Sequence, residues 1–221
     1  MKVLAIDTTR EFGSLALVES GEVVEEVLLH SPDGFSAILF DRLRRLLEKH
    51  GWTVDGVDCF AAAAGPGSFT GVRVGLAAAK GLAEAARKPV VAVSNLQALA
   101  MFGSREFRAT LLDARRGEIY GAVYDPNLEP VLAECVTPFP AWLERLPEGD
   151  LELIATDFAP FRPALAGTRF ANAPVTEAPR AQAGAVGRIA HRRCLAGLAQ
   201  DPAGVDANYV RRSDAELFWT E

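Results

Sequence analysis

Two aspartates stand where apolar runs end, and they could hold a magnesium ion. Asp7 closes the run that begins at Lys2 and is followed by the hydroxyls of Thr8 and Thr9. Asp113 closes a later run in the same way. Carboxylate oxygens suit Mg²⁺ and, through it, the phosphates of a nucleotide. An aspartate at a strand end also commonly accepts hydrogen bonds from its own turn, so nucleotide binding and turn capping both stay open.

A glycine-rich segment offers a second candidate site, for an anion. It reads GPGSFTGVRVG from Gly65 to Gly75, and it follows the apolar run 59–64. Its spacing misses the dinucleotide-binding fingerprint by one residue, and it lacks the Gly-Lys-Ser/Thr ending of a P-loop. The free N–H groups at a helix N-terminus could still bind a phosphate.

The same segment also has a structural explanation. Gly67, Gly71, Gly75, Ala79 and Ala83 recur at every fourth residue, which lines them up on one side of a helix. We call this row of small residues the glycine ridge. Because a glycine inside a helix lowers its stability by about 1 kcal/mol relative to alanine, the ridge indicates that another group approaches the helix closely. Another helix or a phosphate would meet that requirement.

Metal-dependent and nucleophilic hydrolysis are poorly supported. The three histidines form no HxxxH or HExxH pair, so we expect no metal site. Cys59, Cys135 and Cys194 are widely spaced without a CxxC pair, which indicates a reducing compartment with buried or incidental thiols. Cys59 lies in an apolar run and is interpreted as inert core.

Composition and charge narrow the class of protein. The chain has 221 residues, 49% of them apolar, enough for one large domain or two small ones. Its net charge of −6 argues against broad, non-specific binding to nucleic acid. No apolar run approaches the roughly 20 residues that span a bilayer, and the N-terminal run reaches Asp7 too early for a signal peptide. We therefore expect a cytoplasmic protein that does not enter membranes.

The remaining pattern places these residues on a mixed sheet with helices. Three hairpin-connected strands come first, at Lys2–Ile6, Ser14–Val18 and Glu22–Leu29. An amphipathic helix over 36–49 follows, with Ser36 as its N-cap and Leu39 and Leu43 on its apolar face. A βαβ unit completes this half: a strand at 59–64, the small-ridged helix at 68–86 and a strand at 90–93.

The order then restarts, which indicates an internal duplication, although a strand ending in Asp before a hairpin also arises by chance. The repeated strands are the run ending in Asp113, 119–124 and 130–137. Later elements are a helix at 142–146, a strand at 151–155 and a helix at 183–198, with 158–180 unassigned. The fold class is therefore α/β, with lobes at 1–104 and 105–221. The last helix is a candidate to pack back on the first lobe.

Five stretches of the sequence resemble the bacterial TsaB (YeaZ) family. They are Ala5–Thr9, Gly65–Gly75, Val93–Leu96, Leu112–Tyr120 and Tyr209–Arg211. The runs GPGSFTGVRVG and DARRGEIY are the most specific in combination, and the resemblance is densest over residues 2–120. One departure is Phe35, where many members of the family carry a histidine; it leaves the entry to the first helix open.

The resemblance implies an actin-like (ASKHA, ribonuclease H-like) duplicated fold and a role in tRNA modification. Family members are glycoprotease-like pseudoenzymes that act as non-catalytic partners of the TsaD transferase. That enzyme moves a threonylcarbamoyl group onto the adenosine beside the anticodon, and a small ATPase, TsaE, completes the assembly. The resemblance implies no catalytic residue and no tightly bound cofactor, with ATP or ADP only within the complex and tRNA contacted indirectly.

The resemblance also defines two sets of site residues. A vestigial nucleotide site would comprise Asp7, Thr8, Thr9, Gly65, Gly67 and Asp113. A partner interface on helices 36–49 and 68–86, shared by a homodimer, would comprise Gly67, Phe69, Gly71, Val72, Gly75, Ala79, Leu39 and Leu43. The alternative function is an actin-like ATPase or kinase that uses Asp7 and Asp113 with Mg-ATP.

Overall fold

A computed structural model describes residues 1–211 of the chain and contains two five-stranded mixed sheets. The first has the order β3-β2-β1-β4-β5. Its strands are β1 (Lys2–Asp7), β2 (Phe12–Glu19), β3 (Glu22–His30), β4 (Cys59–Ala63) and β5 (Val90–Val93). Strands β1, β2 and β3 form antiparallel hairpins, whereas β4 runs parallel to both β1 and β5.

The second sheet repeats this topology strand for strand. Its strands are β6 (Phe107–Arg115), β7 (Glu118–Tyr124), β8 (Pro130–Pro138), β9 (Leu151–Ala155) and β10 (Val175–Glu177). They lie in the order β10-β9-β6-β7-β8, with the same antiparallel and parallel pairings as their counterparts. The predicted duplication is therefore confirmed.

Helices cover the first sheet according to the alternation of its side chains. The helices of residues 1–211 are α1 (Leu39–Lys49), α2 (Phe69–Ala86), α3 (Asn95–Ala100), α4 (Phe139–Glu144) and α5 (Ala183–Leu195), of which α4 packs on the second sheet. α1 and α2 share one core with Leu4 and Ile6 of β1. α5 packs on the alternate residues, because Gly187 faces Ala5 and Val18.

The first helix begins later than expected. Phe35–Ala37 forms a 3₁₀ turn, and α1 begins after Ile38, which makes no side-chain capping bond in the described chain. The prediction of Ser36 as N-cap is wrong. Phe35 explains the difference, since its ring is buried against Gly13 and the chain must turn inward before the helix begins.

α5 ends at Leu195 rather than at residue 198. Gly197 adopts a φ of +72°, and the N–H of Leu198 donates to the carbonyl of Arg193 at 2.8 Å. This bonding pattern closes a helix at a glycine. The predicted last turn is therefore a C-cap.

The compact units are not contiguous in sequence. One comprises Met1–Asn95 and Arg180–Ala207, and the other comprises Leu96–Pro179 and the chain from Asn208. α5 thus belongs to the first sheet, whereas the sequence placed the boundary between 104 and 105. Residues 212–221 of the predicted second lobe lie outside the described residues.

The second unit has its own core around Trp142, Phe139 and Phe158. Where the first repeat has α2, between β4 and β5, this repeat has only the 3₁₀ turn Arg162–Leu165 between β9 and β10. This unassigned stretch of the sequence thus contains the truncated counterpart of α2. Within residues 1–211, the helices fall short of the length and apolar character needed to cross a membrane.

Candidate functional site

The turn after β1 is built around the buried carboxylate of Asp7. Its Oδ1 accepts hydrogen bonds from the backbone N–H of Thr9 at 2.9 Å and from the Thr9 hydroxyl at 2.6 Å. Asp7, Thr8 and Thr9 are all at most 1% exposed. The carboxylate therefore caps its own turn, which is the structural explanation that the sequence left open beside metal binding.

The start of α2 is fastened to the same turn. Ser68 caps the helix by accepting from Gly71 N–H at 3.3 Å, and its own N–H donates to the Thr9 carbonyl at 2.7 Å. The Thr8 hydroxyl donates to the Gly71 carbonyl at 2.7 Å. The glycine loop and the Asp7 turn therefore form one hydrogen-bonded structure.

Asn95 joins these two segments, although no role for it was predicted from the sequence. It is fully buried, its Oδ1 accepts from Gly65 N–H at 2.9 Å, and its Nδ2 donates to the Thr9 hydroxyl at 2.6 Å. The usable signal in the sequence was an asparagine two residues after a strand, within the Val93–Leu96 stretch. Its long-range partners carry no sequence signature.

The glycine ridge packs against its own chain. A Cβ on Gly71 would fall well inside contact distance of the Thr8 carbonyl oxygen, and one on Gly75 would lie 2.6 Å from the Thr8 hydroxyl. On Gly67 it would lie 2.6 Å from the Thr9 carbonyl oxygen. The prediction that a partner's helix lies along Gly71, Gly75 and Ala79 is corrected, because these residues are buried in the first unit.

Other predicted interface residues are also internal. Leu39, Leu43 and Val72 belong to the core between α1, α2 and the sheet, each at most 3% exposed. Phe69 is 47% exposed and Gly67 is also exposed. The solvent-facing part of the predicted interface thus reduces to the beginning of α2.

A second series of residues, also four apart, faces outward along α2. Phe69, Arg73, Ala77 and Gly81 are all exposed, and we call them the outer face of α2. They are offset by two positions from the buried ridge, which places them about 200° around the helix. The Arg73 guanidinium lies 3.7 Å from the centre of the Phe69 ring, and a Cβ on Gly81 would meet nothing within 4 Å among the described residues. This face is open to close approach.

The fit to a nucleotide is poor at the Asp7 turn. The N–H groups of Gly65, Ser68 and Gly71 are already paired within the loop. Among residues 1–211, Asp7 Oδ2 has no hydrogen-bond partner, and Arg10 Nη2 lies 3.8 Å from it. A phosphate would have to displace internal hydrogen bonds, so these residues do not fit a tightly held Mg²⁺-nucleotide.

Asp113 lies near the end of the equivalent strand of the second unit, two residues before β6 ends at Arg115. Its Oδ1 accepts from the N–H of Arg115 at 2.7 Å, two residues on, as Asp7 does from Thr9. Its side chain is 54% exposed and is 3.7 Å from the Arg115 guanidinium. Both aspartates therefore cap the turn after the first strand of their repeat.

Comparisons with known proteins agree with this architecture. The family model "TsaD: tRNA N6-adenosine threonylcarbamoyltransferase" matches residues 32–168. The "tRNA threonylcarbamoyladenosine biosynthesis protein TsaB" of Escherichia coli is 38% identical over 56% of this chain and 55% of its own length. The Bacillus subtilis protein of that name is 34% identical over 68% of each chain. The matches thus span about half to two thirds of the length of these TsaB proteins.

Solved structures extend the similarity over nearly the whole chain. "YeaZ from Pseudomonas aeruginosa" superposes with a TM-score of 0.78 at 28% identity, covering 94% of this chain and 99% of that one. A second Pseudomonas aeruginosa structure, "an uncharacterized protein with similarity to peptidase YEAZ", gives 0.79 over 95% and 99%. The repeated sheets and these matches define a duplicated actin-like protein.

The sequence matches give the particular family. The chain belongs to the TsaB (YeaZ) family.

Proposed function

We propose that this protein is a non-catalytic partner of a TsaD-type transferase in the formation of threonylcarbamoyladenosine on tRNA. Its similarity to proteins named for that biosynthesis supports the role. The Asp7 turn supports a role without catalysis by this protein. Its groups that could contact a nucleotide are already hydrogen-bonded to one another.

The observation that carries this proposal is that α2 has one buried side, packed on its own sheet, and one exposed side. Its buried ridge fixes the helix on the sheet, and its outer face presents the Phe69 ring with Arg73 over it, followed by two small residues, Ala77 and Gly81. Small residues let a second helix approach closely, and an exposed aromatic is the type of anchor that dominates interfaces. A stable interface buries roughly 1,600 Å², so we expect neighbouring surface to contribute, including Phe40 of α1, which is 56% exposed.

The same surface also bears on self-association and on the other components of the assembly. Self-association would use the outer face of α2 and compete with the transferase, since one surface cannot serve both at once. A TsaE-type ATPase would join the assembled pair, and tRNA would be contacted through the transferase. ATP or ADP would bind only within that complex.

The test is binding to the cognate transferase by variants of the outer face. Phe69→Ala should weaken the affinity at least about tenfold, because truncating an aromatic anchor commonly costs more than 1 kcal/mol. Gly81→Glu should do the same by filling the open position with a charged side chain. Leu28→Ala on β3 is the matched control, since Leu28 is 48% exposed outside this face. Wild-type affinity in both outer-face variants would overturn the proposal.

An actin-like ATPase or kinase is the second candidate, and the observation in its favour is that Asp7 Oδ2 accepts no hydrogen bond from residues 1–211. Calorimetry of the isolated chain with ATP and Mg²⁺ separates the two. We expect no detectable binding. Micromolar affinity that is lost in Asp7→Asn, a variant that keeps the oxygen facing Thr9, would support the enzyme instead.

A further inference from the structure

Two cysteines that are far apart in sequence have adjacent sulfurs. Cys59 is the first residue of β4, Cys194 lies in the last turn of α5, and their Sγ atoms are 2.7 Å apart. The sequence interpreted Cys59 as inert core and paired it with nothing. The contact arises because α5 lies across the first sheet.

We propose that Cys59 and Cys194 form a reversible, redox-sensitive disulfide that fastens α5 to β4. The geometry is favourable because both residues sit on regular elements of the same compact unit. Closure from 2.7 Å requires a movement of only about 0.7 Å to reach a bonded sulfur pair. Disulfides of intracellular proteins are characteristically of this transient kind.

The two thiols are suited to different steps. Cys194 is partly exposed, and its hydrogen bond with Cys59 lowers the pKa of the Cys194 thiol. Cys59 is buried, and that hydrogen bond, with burial, raises the pKa of the Cys59 thiol. Cys194 is therefore the attacking sulfur, since the reactive species is an accessible thiolate. Cys59 is the resolving sulfur.

A low-molecular-weight disulfide, such as oxidised glutathione, is the oxidant. The Cys194 thiolate attacks one of its sulfurs, and the other sulfur leaves as a thiolate that takes up a proton. This step removes the negative charge on Cys194 and with it the main cause of the raised pKa of Cys59. Cys59 then loses its proton and attacks Cys194 Sγ, expelling the second small thiol. Two protein thiols are oxidised, and one small disulfide is reduced to two thiols.

The bond would close a loop between positions separated by 135 residues. It would anchor the returning segment 180–207, which the first unit otherwise holds by packing and hydrogen bonds. Because a crosslink over a long loop restricts the unfolded chain strongly, the thermal midpoint should rise by about 5 °C or more on oxidation.

The experiment equilibrates the full chain in glutathione buffers of increasing oxidised fraction, blocks free thiols and analyses peptides by mass spectrometry. We expect a peptide crosslinked through residues 59 and 194, and its loss on reduction. Cys135→Ser is the matched control and should crosslink as the wild type does. Cys59→Ala should stop at a glutathione adduct on Cys194, and Cys194→Ser should not crosslink.

A measurement on the wild-type chain tests the proposal even if the variants fail to fold. In the native reduced protein, Cys194 should alkylate at least about tenfold faster than Cys135, which is also partly exposed. Three free thiols under the most oxidising buffer, or equal alkylation of Cys135 and Cys194, would overturn the proposal.

Discussion

Gly71 and Gly81 lie on opposite sides of α2 and meet opposite surroundings. A side chain at Gly71 would collide with the Thr8 carbonyl, whereas one at Gly81 would enter open space in the part of the chain that the structure describes. Both glycines belong to series spaced by four, the first made of small residues throughout and the second small only at Ala77 and Gly81. The sequence identified the close approach at the first series, but its spacing could not show whether the neighbour was the same chain or another.

This contrast predicts opposite effects of one substitution. Gly71→Ala should lower the free energy of unfolding by about 3 kcal/mol, because a backbone carbonyl cannot move away cheaply. Gly81→Ala should raise it by about 1 kcal/mol through helix propensity alone. Urea denaturation followed by circular dichroism measures both. Equal changes in the two variants would contradict the packing described for the ridge.

Residue types alone predicted where the two aspartates lie but not which role they have. Asp7 ends β1 as predicted, whereas β6 continues two residues beyond Asp113, and each aspartate is the acceptor for an N–H two residues on. The sequence kept turn capping and metal binding equal because both need a carboxylate at that place. The structure favours turn capping because Gly71, Ser68 and Asn95, all far along the chain, hydrogen-bond to Thr8 or Thr9 of this turn.

At the scale of elements, the first N–H groups of helix α5 are capped by side chains of strands β2 and β3. Ser14 Oγ of β2 accepts from the N–H groups of Gln182 at 3.0 Å and Ala183 at 2.8 Å. Glu26 Oε1 of β3 accepts from Gly184 N–H at 2.9 Å. Gln182, the residue before the helix, makes no side-chain capping bond within the described residues. The start of α5 is thus determined by tertiary contacts.

Removing the remote cap should therefore loosen α5. Ser14→Ala should cost about 1–2 kcal/mol, because two buried N–H groups lose their acceptor. Hydrogen exchange should accelerate in the first turn of Ala183–Leu195. Ser36→Ala is the control, since the exposed Ser36 makes no capping bond to α1 and its replacement should change stability by less than about 0.5 kcal/mol. A larger loss in Ser36→Ala would restore the original N-cap assignment.

Elements were predictable where their own residues determine them. Within residues 1–211, the ten strands include all nine that the sequence identified, and α2 begins at Phe69, one residue after its predicted start. The misplaced helix ends have physical causes elsewhere: Phe35 buries itself before α1, and Gly197 terminates α5. β10 was missed because a three-residue strand in a proline-rich stretch has no periodicity to detect.

At the scale of the whole molecule, the first unit is completed by a segment from far along the chain. α5 covers the face of the sheet that carries Ala5 and Val18, and the Lys80 ammonium donates to the Val205 carbonyl at 2.7 Å. The predicted boundary after residue 104 assigned this segment to the second lobe, with the last helix as a candidate to pack back on the first, because a contiguous lobe is the simplest division of a duplicated sequence. The returning segment makes 1–104 an incomplete unit.

Two fragments test this organisation. A chain of residues 1–104 leaves Ala5 and Val18 of the sheet without α5, so it should give poorly dispersed amide NMR spectra and no cooperative thermal transition. Residues 1–95 joined to 180–207 by a flexible Gly–Ser linker restore that cover and should unfold cooperatively. The fused fragment should also retain binding to the transferase, since it contains the whole outer face of α2. If residues 1–104 alone matched the fusion in dispersion and thermal midpoint, α5 would be dispensable and the contiguous lobe would be the folding unit.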